Sequence, residues 1–346
     1  METIRFGKTG LTVSRTGFGA IPIQRLSIDE AVELLQKAYE CGITIFDTAR
    51  NYTDSEYKIG TAFEGLRKGI VICTKTQETQ RDAILKSTEK SLSELRSAYI
   101  DIFQFHNPKT VPLPGSDAYD TVSELKKQGV IRHIGFSNHD LKLVKEAVSS
   151  GFYETVQFPL SPLSSAEDFQ LAELCKKYDV GLLAMKALAG GIITKAVTSF
   201  VTLRVYSNIV PIWGIQKMAE LEEIIGFENN PPEMTEEIER QINKDREEFC
   251  GAFCRSCGYC LPCQAEIPIP MASKISYFVF RAPYEEFFSP EWRGKMDRIK
   301  NCIQCGSCMS KCPYKLDVPA LLQSELKKYD VLYDQYKKGL PFEKPV

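Results

Sequence analysis

The 346-residue chain carries almost no net charge, -2 at neutral pH. It therefore offers no overall field that would draw nucleic acid or an anionic membrane. It also lacks an uninterrupted apolar run of membrane-spanning length, because Lys186 and Lys195 break the best stretch. The opening METIRFGKTG has no apolar segment of the secretory kind, so the expected location is cytoplasmic. No internal repeat and no low-complexity tract stands out. Nor does a Gly-rich phosphate fingerprint follow the first apolar strand: TGFGAIP is not G-x-G-x-x-G, which argues against a doubly wound open sheet. What is present is an ordinary globular composition, 43% hydrophobic and 25% charged.

Such a length accommodates one barrel of about 200 to 250 residues and a small appendage. Residues 3 to 14 alternate polar and apolar around Gly7 and Gly10, which predicts a short hairpin ahead of the main fold. Strand and helix patterns then alternate. Strands are expected at Arg15–Ala20, Ile43–Asp47, Ile70–Thr74, Ile100–Phe105, Val130–Phe136, Thr155–Phe158, Gly181–Met185 and Ile209–Trp213. Between them, IDEAVELLQKAYECG puts Ala31, Leu34, Leu35 and Ala38 on one helical face and stops at Gly42. Eight such units, each strand trailed by a helical pattern, predict an α/β fold closed as a (β/α)8 TIM barrel. The Pro pair and charge run of ENNPPEMTEEIERQINKDREEF mark a boundary, giving a barrel over residues 1–235 and a linker helix with a second domain over 236–346.

Of the twelve cysteines, nine lie between Cys250 and Cys312. In a reducing compartment that crowding reads as metal ligation rather than disulfides. NCIQCGSCMSKCP has the C-x2-C-x2-C-x3-C-P spacing of a bacterial ferredoxin run, in which three thiolates hold one iron-sulfur cluster and the fourth ligates its neighbour. A partner run is present in GAFCRSCGYCLPCQAEIPIP. By that logic Cys302, Cys305, Cys308 and Cys263 share one 4Fe-4S cluster, while Cys254, Cys257, Cys260 and Cys312 share the other. The first run departs from the pattern, with two residues before Cys263 and Gln264 in place of proline, so Cys250 is an alternative ligand. Paired C-x2-C units also build zinc ribbons, which the C-P ending disfavours. Few large apolar residues are legible around these runs, so ligation is expected to supply much of the module's folding energy. Cys41, Cys73 and Cys175 are scattered through apolar segments and read as inert core thiols.

Polar residues just past barrel strands are the candidates for chemistry, because a TIM barrel keeps its active site at the carboxyl ends of its strands. Asp47, Tyr52, Lys75 and His106 occupy such places. Singly, each has a structural explanation as a cap, a surface amphiphile or a turn residue. Together they could pass a proton, with Tyr52 as general acid toward a carbonyl oxygen, a cation at Lys75, the Asp47 carboxylate behind it, and His106 orienting the oxygen. Arg50, Asn51 and Trp213 either face the same pocket or pack elsewhere.

At these residues the chain resembles the aldo-keto reductase family. FGKTGLTVSRTGFGA is similar to the family's opening, FDTARNYTDSE to its Asp-to-Tyr motif, ICTK to its lysine strand, FQFHNP to its histidine and IRHIGFSNH to its Gly-x-Ser-Asn segment. The resemblance covers residues 3 to 226, and the cysteine tail resembles the branch with a C-terminal ferredoxin-like domain. It implies that Asp47, Tyr52, Lys75 and His106 are the catalytic tetrad. It also implies that Ser137, Asn138 and Gln157 hold the nicotinamide carboxamide, and that NAD(P)H exchanges hydride with a carbonyl or alcohol. At the phosphate end the match is an outline. Lys217 is the candidate contact there, Glu220 stands where an arginine often faces a 2′-phosphate, and Ile224 replaces an adenine-binding asparagine. Leu160 stands at the expected stacking position.

Hydride moves two electrons and a cluster moves one, and no flavin motif is legible to couple them. Three functions stay open. One is a carbonyl reductase with structural clusters; another is an oxidoreductase fed through its clusters by ferredoxin or a similar redox protein; the third is a non-catalytic electron carrier on a reductase barrel.

Overall fold

The computed structural model describes residues 1–249, 253–255, 257–279 and 284–342, so Cys250 lies outside the described residues. Two compact units emerge, Met1–Ala189 with Lys195–Asn243, and Gly190–Thr194 with Lys244–Val346.

The first unit opens on an antiparallel hairpin of β1 (Thr3–Arg5) and β2 (Thr12–Ser14). Its turn depends on Gly7, where φ is +55° and an added Cβ would stand 2.4 Å from the Gly181 amide nitrogen. Eight parallel strands then close into a barrel: β3 (Gly17–Gly19), β4 (Ile45–Asp47), β5 (Val71–Thr76), β6 (Ile100–His106), β7 (Ile131–Ser137), β8 (Thr155–Pro159), β9 (Gly181–Met185) and β10 (Ile209–Gly214). β10 pairs back onto β3, so no strand edge is left open. The helices are α1 (Ile28–Glu40), α2 (Ser55–Ala62), α3 (Arg81–Glu94), α4 (Asp117–Lys127), α5 (Leu141–Ser150), α6 (Ala166–Lys177), α7 (Ala196–Arg204) and α8 (Met218–Asn229). α1 shows how sequence sets such an element. Ser27 and Glu30 form a reciprocal capping box at its start, and Ala31, Leu34, Leu35 and Ala38 are buried at helical spacing.

The barrel carries two apolar regions. One lies between strands and helices. The other fills the strands' inner faces, where Ile45, Val71, Cys73, Ile102, Leu183, Val210 and Ile212 cluster with Phe6 and Val13 of the hairpin segment. The hairpin thus floors the barrel and leaves its opposite end for polar groups. Cys73 and Cys175 are buried, as their apolar surroundings led one to expect, whereas Cys41 is half-buried at the end of α1.

The charged boundary segment is a helix, α9 (Glu236–Phe249). Within the second unit lie α10 (Ile269–Ala272), α11 (Ile275–Val279), α12 (Pro290–Asp297), α13 (Ser307–Ser310) and α14 (Val318–Lys337), and no strand occurs among its described residues. This unit has an apolar core of its own, contrary to the expectation that few large side chains were available. Phe287, Phe288, Trp292, Met296 and Ile299 pack with Leu322, Leu326, Tyr329 and Leu332 of α14. Those residues lie outside the cysteine runs, and they acquire one face only when α14 forms behind its Asp317 cap. Among the described residues no helix is long and apolar enough to cross a membrane.

Removing the floor should be costly. Phe6→Ala deletes a fully buried ring and is expected to lower unfolding free energy by about 3 to 5 kcal/mol, read from urea denaturation.

Candidate active site and cysteine centres

Along the barrel strands the inward positions change from apolar to polar toward the carboxyl end. Ile45 gives way to Asp47, Cys73 to Lys75, and Ile102 to Gln104 and then His106, while β8 adds Gln157 to the polar layer. The polar layer is knitted together. Lys75 Nζ donates to Asp47 Oδ1 at 2.6 Å and to Thr48 O at 2.7 Å. Gln157 Nε2 donates to Asp47 Oδ2 at 3.1 Å. Gln104 Nε2 reaches Asp47 Oδ1 at 3.4 Å and Gln157 Oε1 at 3.3 Å. Lys75 and Asp47 are almost wholly buried, and a buried ion pair persists only when its remaining valences are also met. The two glutamine amides meet Asp47's. Gly135 makes this possible, since a Cβ there would come within 2.5 Å of Thr155 Oγ1 and 2.8 Å of Gln104 Cγ.

Tyr52 comes from the loop between β4 and α2. Thr48 N and Arg50 N donate to Cys73 O and Lys75 O at 2.8 and 3.0 Å, so the chain past β4 stays tied to β5. A turn closed by Tyr52 N to Ala49 O then presents the ring. Arg50 holds the loop from outside: its guanidinium pairs with Glu56, which also accepts from Thr74 Oγ1, and with Glu94 Oε2 at 2.7 Å. Arg50 is thus a brace within the fold, and Trp213 is buried in the barrel core, while Asn51 is exposed.

Lys75 Nζ lies 5.4 Å from the centre of the half-buried Tyr52 ring, and the His106 ring meets Tyr52 edge-on at 6.0 Å. Burial, and then the Asp47 carboxylate, hold the Tyr52 hydroxyl well above the ordinary phenol range, so it is protonated at neutral pH. His106 is pushed down to about 3, first by burial and then by the charges of Lys75 and Lys186, and so is a neutral imidazole. All four strand-end candidates therefore meet. Gln104 and Lys186 were not anticipated. Gln104 lies two residues before His106 on the same strand, and Lys186 directly follows β9, so the strand-end rule itself pointed to Lys186.

Ser137 ends β7 and pairs in register with Gln157. Asn138 Nδ2 donates to Pro108 O at 2.9 Å, while its Oδ1 accepts from Asp140 N at 2.9 Å. These positions suit the nicotinamide end of a dinucleotide. The adenosine end departs from that fit. Lys217 is exposed at the start of α8, where Glu220 Oε2 accepts from Gln216 N at 2.8 Å and Lys217 N at 3.2 Å. Backbone donors that would receive a phosphate already hold a carboxylate. Ile224 and Leu160 are both buried in the barrel core.

The cysteines line two cavities. Cys263, Cys302, Cys305 and Cys308 border one, together with Cys260. Cys254, Cys257, Cys260 and Cys312 border the other. Each cavity therefore draws sulfur from both runs. Among the described residues no three Cys, His, Asp or Glu side chains converge closely enough to hold one metal ion.

Residues 15–200 match the aldo/keto reductase family profile. The chain belongs to that family. Residues 253–316 match a 4Fe-4S dicluster domain. The protein is an aldo-keto-reductase-like, NAD(P)-dependent oxidoreductase that carries two 4Fe-4S clusters, built as a TIM barrel with a C-terminal iron-sulfur domain. It is 28% identical over 230 residues to the NADH-specific methylglyoxal reductase of Escherichia coli K12, spanning 57% of this chain and 71% of that one. It is 28% identical over 216 residues to the L-galactose dehydrogenase of Arabidopsis thaliana, spanning 56% and 68%. Its fold is similar to the holo form of an aldo-keto reductase from Bacillus halodurans, with TM-score 0.63, 20% identity, and 71% and 96% of the two chains covered. A Klebsiella pneumoniae aldo-keto reductase solved with NADPH gives TM-score 0.62, 20% identity, and 70% and 94%.

The displaced titration of His106 in this reductase has a measurable sign. Unfolded, its imidazole takes up a proton near pH 6.5; folded, it does so only near 3. Over that interval the unfolded chain binds the extra proton, so this residue lowers stability as pH falls, by up to about 1.4 kcal/mol per pH unit. Urea midpoints taken from pH 6.5 to 4.5 should fall more steeply in the wild type than in His106→Gln.

Proposed function

We propose that this reductase converts a small aldehyde or ketone to an alcohol at the carboxyl end of its barrel, with Tyr52 as proton donor. The observation that carries this reading is the Lys75–Asp47 ion pair beneath the Tyr52 ring, with neutral His106 at the ring's edge. His106 donates a hydrogen bond that orients the carbonyl oxygen, and Tyr52 gives that oxygen its proton, with the cation at Lys75 favouring the phenolate that forms. Bound nicotinamide supplies the hydride.

Ser137, Asn138 and Gln157 are the proposed contacts of the carboxamide, and Lys217 that of the cofactor's phosphate end. Glu220 at the head of α8 disfavours an added 2′-phosphate, which supports NADH over NADPH. Cys302, Cys305, Cys308 and Cys263 are proposed to hold one cluster, and Cys254, Cys257, Cys260 and Cys312 the other. Residues 1–235 act as the reductase barrel and 236–346 as linker helix and iron-sulfur domain, working in the reducing cytoplasm that free thiolates require.

A second reading follows from the adenosine end. With Glu220 capping α8 and Ile224 buried, the barrel offers few contacts to a dinucleotide's far half, which favours electrons arriving through the clusters from ferredoxin. Anaerobic turnover separates the two. With methylglyoxal as probe, NADH should support reduction without ferredoxin, and turnover only with reduced ferredoxin would overturn the first reading. Tyr52→Phe should lower kcat at least about 100-fold while leaving NADH binding, followed by fluorescence, unchanged. The wild type should prefer NADH to NADPH in kcat/KM, and Glu220→Gln should narrow that preference.

A further inference from the structure

We propose that the exposed face around Cys302–Lys315 is a docking surface for an acidic protein that exchanges single electrons with the cluster held there. The proposal rests on the cluster ligands assigned above and not on carbonyl reduction by the barrel.

Solvent exposure distinguishes the two cysteine centres. In the cavity bordered by Cys302, Cys305 and Cys308, Cys305 is exposed, and Ile303, which also lines the cavity, is 63% exposed. Met309, on α13, is 43% exposed, and Leu261, next to the lining residue Pro262, is 40% exposed. The other cavity is lined by half-buried Cys254, Cys257 and Cys312, buried Cys260, and the buried side chains of Leu316 and Val318. A single exposed apolar residue is ordinary. Three beside one redox centre are not explained by packing within the unit.

Along the chain through these residues the charged side chains are cations, with acids only at the margins, Asp297, Glu266 and Asp317. Arg298, Lys300, Lys311 and Lys315 are exposed, and no acidic residue occurs from 298 to 316, in a chain whose net charge is -2. Arg298 stands 3.6 Å from Glu266, and Lys300 is 2.5 Å from Asp297. Among the described residues Lys311 and Lys315 make no ion pair. An apolar centre beside two cations without an ion pair, Lys311 and Lys315, fits an acidic partner, because complementary charge steers encounter and a small apolar contact permits rapid release. Small, transient interfaces are characteristic of electron-transfer encounters. An anionic polymer would meet the same lysines but does not account for the apolar side chains; an anionic membrane would engage both, and the vesicle arm of the test separates it. In the step itself the carrier loses one electron, the oxidised cluster gains it, and no bond or proton changes hands.

The test uses full-length, anaerobically purified holoprotein mixed in stopped flow with a reduced acidic bacterial ferredoxin, following the visible absorbance of the clusters. The wild-type second-order rate constant should fall about tenfold or more between low and high NaCl. Lys311→Glu/Lys315→Glu should slow the reaction about tenfold at low salt and remove its salt dependence. Arg298→Glu, outside the cysteine loop, should slow it in the same direction and guards against loss of the cluster in the double variant. Reduction by dithionite and the EPR spectrum should be unchanged in both. Unaltered ferredoxin rates in variants with intact spectra would overturn the docking surface alone, while a wild type without iron-sulfur spectra would overturn the ligand assignment with it. Loss of DNA or anionic-vesicle binding in the variants, with ferredoxin rates unchanged, would give the face to a different partner.

Discussion

The site depends on keeping the ammonium of Lys75 and the carboxylate of Asp47 charged where water barely reaches. Removing two charges from water costs more than their attraction returns unless every remaining valence is met. Three further groups on separate segments meet that requirement: Thr48 O accepts from the lysine, while Gln157 and Gln104 donate to the carboxylate. The register of β4, β5, β6 and β8 is thereby linked to chemistry. A slip of one residue in any of these strands would turn its polar side chain into the helix layer.

A second ion system governs position rather than charge. Arg50, Glu56 and Glu94 join the loop that carries Tyr52 to α2 and α3. Glu56 is buried, and burial raises its carboxyl above the ordinary range, although Thr74 and Arg50 work against that shift. The cation therefore serves the loop that carries Tyr52 without entering the pocket. The two systems have separate roles, since one sets the electrostatics beneath the phenol and the other fixes where the phenol stands.

Much of this was legible in the sequence, and the gaps have physical causes. Strand periods and strand-end polar residues were sufficient for the barrel and for Asp47, Tyr52, Lys75 and His106, because a closed parallel sheet brings those ends together whatever the loops do. Gln104 escaped because β6 is buried on both faces, and Phe103 and Phe105 on either side mask its alternation. The part played by Arg50 was hidden because Glu94 lies far away in sequence and meets it only through α3. The second unit's core was hidden for a related reason. Its apolar residues are scattered between and beyond the cysteine runs and become one surface only when α14 aligns Leu322, Leu326 and Tyr329. At α8 the reverse holds, since Glu220 stood out in the sequence and proves to be an N-terminal cap.

The interleaving of the two cysteine runs bears on how the chain is made. Each cavity takes sulfur from both runs, so the first is incomplete until Cys308 has been synthesised and the second until Cys312. By then α8, the last helix around the barrel, has long left the peptidyl-transfer centre. Domains fold in order of synthesis, so the barrel is finished while the thiols are still waiting for their partners. Chain order therefore places the last cluster ligands well after the last barrel helix, so ligation of the clusters cannot be completed before the whole barrel has been synthesised.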